Sequence, residues 1–306
     1  MRIYTLTLSC AFDVYCTAES LAIGRENTAW VSGRFAGGKG INISRALASL
    51  GVPSVAVIAA GEENAEEFFS QITDENITVQ RINVPGRIRE NFTFHTSDGT
   101  ETRISFTSPK ADDSLTDQLA DHLDALALGD VLTVTGRVPS GVNMEKLKSL
   151  LASLRERGVR LVIDSRSFTR EDIIALRPFL IKPNEEELST YLTCDHSNPA
   201  SISEAAQRLA TLGVENVMIS LGDRGAILVT ADEVYTAAAP KLDKIVSTVG
   251  AGDSAIAGFI VADSLGYDKQ HALALAVASG SAACLSVGTE PPKKNKIEEF
   301  FRLITM

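Results

Sequence analysis

Short apolar segments alternate with longer helical ones along most of this chain, and no other property restricts its possible folds as strongly. The short segments are SVAVIAA, DVLTVTG, VRLVIDS, PFLIKP and NVMISLG. Segments such as NMEKLKSLLASLRERG and SISEAAQRLATLG separate them and carry apolar residues at helical spacing. Strands that are apolar throughout are buried on both faces, as in a parallel sheet covered by helices. The alternation therefore predicts an α/β fold with a mainly parallel central sheet.

Polar motifs fall at the ends of several predicted strands. The sequences are DSRS, KPNEEEL and SLGDRG. In open parallel sheets, ligands bind at the carboxyl ends of the strands. We therefore expect the functional site at this edge of the sheet.

Two regions interrupt the alternation. AFDVYCTAESLAIGRENTAWVSGRF has few helical signals, and RENFTFHTSDGTETRISFTS alternates around Ser97, Asp98 and Gly99 as a hairpin does. These regions can pair into a small separate sheet. Such a sheet at the strand ends would form a lid over a ligand, although an edge hairpin without a binding role fits the same pattern.

The composition excludes several classes of partner. The chain has 306 residues, of which 44% are hydrophobic, and a formal net charge of −10, which argues against general binding of nucleic acid or anionic membranes. An anionic substrate would therefore need a local cationic pocket. The four cysteines lack metal-site or disulfide spacing, and the first residues lack a signal-peptide pattern, so we expect a cytoplasmic protein. The uncharged segment 271–289 is rich in Ala, Ser and Gly, which favours a closely packed internal helix over a membrane span.

The segment STVGAGDSAIAGF, residues 247–259, places Asp253 at the start of an apolar helical pattern. Unpaired amides at a helix start bind anions, and glycines allow a ligand to approach them closely. The helix start also stabilises the charge of Asp253, so we expect an ionised carboxylate that can act as a base. Alternatively, Gly250 and Gly252 form a tight turn and Asp253 only caps the helix. These residues alone leave both interpretations open.

Taken together, the motifs resemble those of the ribokinase-like PfkB family of carbohydrate kinases. GGKGINISRALASLG matches the N-terminal signature of that family and TVGAGDSAIAGF the C-terminal one, while VIDSR, IKPNEEEL and ISLGDRGAIL lie between them in the family's order. Within the family, the chain is most similar to bacterial 1-phosphofructokinases and tagatose-6-phosphate kinases. The resemblance implies one domain over residues 1–306, a three-layer sandwich with a small β-sheet lid from about 12–35 and 87–108.

The resemblance also implies a nucleotide site and a catalytic base. Asp253 would accept the proton of the attacking hydroxyl, and the amides of Gly250, Ala251 and Gly252 would form an anion hole for the transferred phosphoryl group. Asn184 and Glu187 would act through Mg²⁺ and its waters, although they also suit the first turn of a helix. Gly250 and Gly252 would also contact the nucleotide, together with Lys182, Asn184, Ser220, Gly222 and Gly225. Residues 284–288 would flank the adenine and a possible monovalent-cation site.

On the acceptor side, the resemblance implies a sugar site built around Asp13. Its other matching residues are Gly37, Gly38, Lys39 and Asn42. Arg87 and Arg89 fall on one side of a strand at the lid base by period-2 alternation, where related kinases bind phosphate, although a solvated basic strand would show the same pattern.

Three departures from the family pattern lie near the expected acceptor site. Ser9 and Cys10 replace Asn and Pro, Arg137 replaces a small hydroxyl residue, and FTSPKADD differs from the usual form. We expect Arg137 to be partly desolvated, and to pair either with an acceptor phosphate or with a neighbouring carboxylate.

The expected activity is transfer of the γ-phosphoryl group of ATP to a ketohexose phosphate, with fructose 1-phosphate ahead of tagatose 6-phosphate as acceptor. The alternatives are a kinase of an unphosphorylated sugar or nucleoside, and a non-catalytic regulator that binds sugar phosphates. Because Asp253 is retained, the regulator is disfavoured. An apolar lid face with Phe92, Phe94 and Phe106 would suit a homodimer.

Overall fold

The computed structural model describes residues 1–195 and 198–306. Its strands are β1 (Ile3–Thr7), β2 (Ala11–Ala18), β3 (Ala29–Gly37), β4 (Ser54–Gly61), β5 (Ile77–Val84), β6 (Arg89–Thr96), β7 (Glu101–Ser105), β8 (Val131–Thr135), β9 (Arg160–Asp164), β10 (Leu180–Ile181), β11 (Asn216–Ser220), β12 (Ala226–Val229) and β13 (Val234–Ala237). Its helices are α1 (Lys39–Ser49), α2 (Ala65–Phe69), α3 (Ser114–Leu123), α4 (Met144–Glu156), α5 (Arg170–Leu176), α6 (Glu185–Tyr191), α7 (Pro199–Thr211), α8 (Ala251–Ser264), α9 (Lys269–Ala283) and α10 (Lys294–Thr305).

The central sheet is mainly parallel, as the alternation of segments predicts. Its strand order is β13-β12-β11-β10-β9-β8-β1-β4-β5. The antiparallel pairs are β11 with β12 and β12 with β13, at one edge. The α/β prediction and the mainly parallel sheet are confirmed.

Helices cover both faces of this sheet and make a three-layer sandwich. Leu161 and Ile163 of β9 pack into a core with α3, α4 and α7. Val162, between them, packs into a second core with α8, α9 and α10 on the other face. Since neighbouring side chains of a strand point to opposite faces, an uninterrupted apolar run is what this position requires.

The two most apolar helices, α8 and α9, pack against each other through small residues. A Cβ atom built on Gly258 would lie 2.5 Å from the Ser279 hydroxyl oxygen and 2.6 Å from the Leu275 carbonyl oxygen. Glycine therefore sets the distance between these helices. The predicted internal helix in segment 271–289 is α9, whose residues are mostly buried. None of the helices in the described parts of the chain is long and apolar enough to cross a membrane.

A second, smaller sheet is formed by the two regions that interrupt the alternation. Its order is β3-β2-β6-β7, and β6 and β7 form the predicted hairpin. Asp13 of β2 pairs with Asn91 of β6, and Thr93 of β6 pairs with Arg103 of β7. These registers place Asp13, Asn91 and Arg103 on one face of the sheet.

The other face of the small sheet is only partly the exposed apolar surface that the sequence suggests. Phe92 and Phe94 are half-buried and pack against the core around Phe12. Phe106 is exposed. The three rings lie together, since the Phe92 ring centroid is 6.2 Å from that of Phe94 and 6.1 Å from that of Phe106. The core covers part of Phe92 and Phe94, and the use of this face in a homodimer stays a prediction.

Candidate active site

The first turn of helix α8 lies at the site, and the helix is preceded by a glycine in a left-handed conformation. Gly250 is the N-cap residue and has φ of 80°, in the left-handed region that favours glycine. Asp253 follows in the first turn and is buried. One of its carboxylate oxygens accepts a hydrogen bond of 2.9 Å from the side-chain amide of Asn42 in α1. The Ala251 amide donates to the Thr248 carbonyl at 3.3 Å, and the anion-hole role of the three predicted amides stays a prediction.

Burial sets the protonation of Asp253. Desolvation raises its pKa to about 6, although Lys39 and the Asn42 hydrogen bond favour the charged form. The sequence argument considered only the helix start, which stabilises the charge, and it missed the larger opposing effect of burial. The carboxyl group remains mostly ionised at neutral pH, and a carboxylate with this pKa is a better proton acceptor than an exposed one.

Two lysines and a second buried carboxylate lie close to Asp253. The Lys39 ammonium is 2.8 Å from an Asp164 carboxylate oxygen. Lys182 lies against the start of α8, since a Cβ atom built on Gly252 would be 3.0 Å from its Nζ. Burial favours neutral Asp164, but Lys182 and Lys39 outweigh it and lower the Asp164 pKa. Asp164 was not among the predicted site residues, and its position in DSRS at the end of β9 was the available signal.

A groove of about 1050 Å³ lies on one side of the α8 start. Its lining includes Asn184, Ser220, Gly222, Gly225, Gly252 and Cys284. A β-bridge between Asn184 and Ser220 holds the loops after β10 and β11 together. The segment GDRG connects β11 and β12, and Gly222, Asp223 and Gly225 of this segment line the groove.

Gly225 closes the hairpin against the next strand. Its φ is 99°, and a Cβ atom there would lie 2.0 Å from the Ala237 carbonyl oxygen. Only glycine fits this position without moving the backbone. Five predicted nucleotide residues therefore meet in one groove, while Lys182 and Glu187 line an adjoining cavity of about 300 Å³.

The first turn of α6 holds the predicted metal residues in a capping box. The Asn184 side-chain oxygen accepts from the Glu187 amide at 2.7 Å, and a Glu187 carboxylate oxygen accepts from the Asn184 amide at 3.0 Å. Within the described residues there is no group of three or more His, Cys, Asp or Glu side chains that could hold a metal. This donor set does not form an all-protein cage. It fits Mg²⁺, which keeps several waters and binds through one or two carboxylates plus substrate phosphates.

On the other side of Asp253, Asp13 of the small sheet is buried and held by two donors. One of its oxygens accepts from Asn91 and from Arg103, each at 3.0 Å. Its other oxygen faces the start of α1, where a Cβ atom on Gly37 would lie only 2.2 Å away. Gly38, the N-cap residue of α1, has φ of 147°. The close approach of β3 to Asp13 therefore requires glycine at position 37. Gly38 is required by its φ angle and by Thr7, whose side chain would lie 2.6 Å from a Cβ atom there.

Asn91 and Arg103 are site residues that the sequence analysis missed. Both lie in strands of the small sheet, and strand register alone brings them to Asp13. No motif marks them. A correct pairing of the two interrupting regions would have been needed to find them.

The three predicted arginines have different environments. Arg89 is half-buried and donates to the Phe106 carbonyl at 2.6 Å and to Asn91 at 3.1 Å. Burial lowers its pKa, and the nearby charges of Arg103 and Arg137 add to this effect while Asp13 opposes it. Arg87 is exposed and precedes β6, so it does not share a strand face with Arg89 as predicted.

Arg137 lies in the loop after β8 and is exposed, so the expectation of partial desolvation is wrong. Its loop projects beyond the end of the strand into the 300 Å³ cavity, beside Lys39, Asp164 and Lys182. Across the described chain, Arg137 makes no ion pair, and the alternative of a structural salt bridge is not observed.

The other departures have structural partners. The Ser9 hydroxyl contacts the Ser108 hydroxyl. Cys10 is buried with its thiol 3.3 Å from the Ala59 carbonyl oxygen, and burial raises its pKa to about 12. A thiol in this state is inert, so Cys10 contributes packing.

The side chain of Asn42 presents a second group, its amide oxygen, at the centre of the site. Its side-chain oxygen is buried and has no hydrogen-bond partner among the described residues. Because a buried acceptor without a donor is unfavourable, it suits a ligand that brings a hydroxyl. A hydroxyl bound there would lie next to the carboxylate that Asn42 contacts.

Known proteins share this architecture. A family model described as pfkB family carbohydrate kinase matches residues 9–296. The chain is 30% identical to a 1-phosphofructokinase of Haemophilus influenzae over 282 residues, 92% of this chain and 90% of the relative. It is 30% identical over 292 residues to ATP-dependent 6-phosphofructokinase isozyme 2 of Escherichia coli, covering 94% of each. The solved structure of Escherichia coli phosphofructokinase-2 with substrates and products matches at 28% identity with a TM-score of 0.92, covering 100% of both chains. The chain belongs to the pfkB family of carbohydrate kinases.

Proposed function

We propose that the protein is an ATP-dependent kinase that phosphorylates a hydroxyl of a ketohexose phosphate, with fructose 1-phosphate as the first candidate acceptor and fructose 1,6-bisphosphate as the product. The observation that carries the phosphorylated acceptor is the cluster of Arg89, Arg103 and Arg137 on the acceptor side of Asp253. The two 30% identical relatives are named as kinases of phosphorylated fructose, which supports the same class.

The charge of this cluster favours an anion. The charges of Arg103 and Arg137 both act on the Arg89 guanidinium, and Asp13, which pairs with Arg103, opposes them. The chain as a whole has a net charge of −10, so this local excess of positive charge is opposite to the average surface. A neutral sugar would leave the excess uncompensated, whereas a phosphate can accept paired hydrogen bonds from arginine.

The proposed reaction uses the two sides of the α8 start. Asp253 accepts the proton of the acceptor hydroxyl, which Asn42 helps to position. Lys182 and the α8 amides stabilise the charge on the transferred phosphoryl group. Glu187 and Asn184 are the residues that would hold Mg²⁺, which would supply further charge neutralisation.

A second candidate acceptor is fructose 6-phosphate, because one relative is named a 6-phosphofructokinase. Tagatose 6-phosphate remains a third. These acceptors share a ketohexose phosphate and differ in which end of the sugar carries the anion.

The test is a side-by-side assay of ADP release. The acceptors are fructose 1-phosphate, fructose 6-phosphate, tagatose 6-phosphate, fructose and adenosine. We expect kcat/KM for the best sugar phosphate to exceed that for fructose and adenosine by at least about a hundredfold, the scale of one or two charged hydrogen bonds. A preference for fructose or adenosine would refute the proposal, and no turnover with any acceptor would favour a sugar-phosphate-binding regulator.

We also propose that the small sheet acts as the lid and pairs with a second copy of the chain. Its exposed apolar residues support this, since Trp30 and Val31 are each 60% exposed, Phe106 53% and Ile104 49%.

A monovalent cation beside residues 284–288 is a further proposal. Its support is the buried hydroxyl of Thr289, which has no hydrogen-bond partner in the described structure.

A further inference from the structure

Each carboxylate oxygen of Glu187 accepts one hydrogen bond from the protein. One of its carboxylate oxygens accepts from the Asn184 amide at 3.0 Å. The other accepts from Nε of Arg166 at 2.9 Å. Arg166 belongs to the DSRS segment after β9 and is 59% exposed, whereas Glu187 is 18% exposed. A cation of the protein therefore lies at the carboxylate that we assign to the metal.

The ion pair between Arg166 and Glu187 can be broken by a competing ligand at little cost to the fold. Exposed pairs of this kind stabilise a fold very little, and their geometry is easily lost. The α6 start does not depend on it, because the capping box of Asn184 and Glu187 already satisfies both residues. The hydrogen bond to Glu187 raises the pKa of Arg166, so the guanidinium stays charged at any working pH.

Two lysines of the same cavity have other contacts, and Arg137, which also lines it, makes no ion pair within the described residues. Lys39 pairs with Asp164, and Lys182 lies against Gly252 at the α8 start. Arg166 is thus the cation positioned to oppose a metal ion at Glu187. When nucleotide phosphates enter beside Lys182, they offer the guanidinium a stronger, doubly hydrogen-bonded partner.

We propose that Arg166 competes with the divalent metal for Glu187 and that the phosphates of the bound nucleotide draw it away. This rests on the proposed function in so far as a metal–nucleotide complex is the ligand of the cavity. Its consequence is an order of binding, because the site disfavours free metal and accepts the metal together with the nucleotide.

The test measures Mn²⁺ binding by electron paramagnetic resonance without nucleotide or sugar. Arg166→Ala is expected to bind Mn²⁺ about three- to tenfold more tightly than the parent, since the Glu187 carboxylate is freed from its competing partner. Arg166→Lys keeps the charge and should resemble the parent. Arg170→Ala is the matched control, because Arg170 lines a second cavity, of about 450 Å³, together with Arg166 and Glu187 and makes no hydrogen bond to Glu187 within the described residues.

A double-variant cycle shows whether the effect passes through Glu187. In the Glu187→Gln background, Arg166→Ala should no longer change Mn²⁺ affinity. With a saturating non-hydrolysable ATP analogue, the difference between the parent and Arg166→Ala should shrink to less than about twofold. Equal Mn²⁺ affinity of the parent and Arg166→Ala overturns the proposal, as does a gain that persists in the Glu187→Gln background or with the analogue bound. Failure of the acceptor assay above would leave these metal titrations unchanged, so the two proposals fail separately.

Discussion

The two halves of the site are built in different ways. The nucleotide half depends on backbone conformation, as shown by the positive φ angles of Gly250 and Gly225 and by the helix start of α8. The acceptor half depends on side chains, with Asp13 held by Asn91 and Arg103 from two other strands of the small sheet. In the proposed function, the first half would position phosphates by backbone geometry, and the second would select the acceptor by charge and hydrogen bonding.

The two halves differ in the amino-acid substitutions that they can tolerate. The Cβ atom of any other residue at position 225 would lie 2.0 Å from the Ala237 carbonyl oxygen, so the backbone itself would have to move. Arg137 on the acceptor side is exposed, and other side chains fit there without strain. We therefore expect acceptor specificity to change more readily among related chains than nucleotide binding.

The largest effect is expected at Asp253, where the two halves meet. Asp253→Asn should lower kcat by about a thousandfold or more while ATP binding persists, because the proton acceptor is lost and the shape is kept.

The variant should also be more stable at pH 7, since the raised pKa of about 6 means that the ionised carboxyl costs the fold roughly 3 kcal/mol. This gain should disappear near pH 4, where Asp253 is protonated. Calorimetry at pH 7 and pH 4 measures the stability difference, and equal stability of the two proteins at pH 7 would contradict the assigned cost of the ionised carboxyl. A kcat near that of the parent would contradict the role of Asp253 as proton acceptor.

The pH dependence of the parent is the next largest effect. Asp253 must be ionised to act, so kcat/KM for the sugar should be maintained above about pH 6 and fall roughly tenfold per unit below it. The residual rate of Asp253→Asn over the same range is the control for titration of the substrates. A parent profile that stays flat down to about pH 4.5 would remove Asp253 from the rate-determining proton transfer.

A smaller effect, confined to the nucleotide half, is expected for Glu187→Gln. The Mg²⁺ concentration for half-maximal rate should rise about three- to tenfold, because a carboxylate near the metal becomes neutral, while KM for the sugar stays constant. Glu186→Gln, with the same charge change in the same helical turn, is the matched control. Identical Mg²⁺ titrations for the parent and Glu187→Gln would reduce Glu187 to a capping residue.

An effect of similar size, but confined to the acceptor half, is expected for Arg137→Ser. Because Arg137 is exposed, we expect kcat/KM for the sugar phosphate to fall only about three- to tenfold, with KM for ATP unchanged. The loss should lessen at high salt. Arg208→Ser in α7, also exposed, controls for the loss of one positive charge. If both variants behave alike, Arg137 does not contact the acceptor.

The positions of the residues in the proposed nucleotide half could be predicted from the sequence, because backbone requirements leave marks in single motifs, while their roles stay predictions. A left-handed residue such as Gly250 calls for glycine, and a helix start such as that of α6 calls for Asn184 with Glu187 three residues later. The strands also followed from local patterns, since burial on both faces demands a continuous apolar run.

The acceptor half could not be predicted in the same way, because its contacts are set by register between distant strands. Arg103 reaches Asp13 from 90 residues away, and nothing in its local sequence indicates this. Burial was equally hidden, since the raised pKa of Asp253 and the exposure of Arg137 depend on what packs around them.

The most direct test of the account is the discrimination between fructose 1-phosphate and fructose, measured as the ratio of kcat/KM values in the parent and in Arg103→Ala. If the arginine cluster recognises the acceptor phosphate, the parent ratio is at least about a hundred and Arg103→Ala lowers it about tenfold or more, with KM for ATP little changed. Calorimetry of both proteins checks that the variant is folded at the assay temperature. A parent that prefers fructose, or a ratio that Arg103→Ala leaves unchanged, would contradict the account.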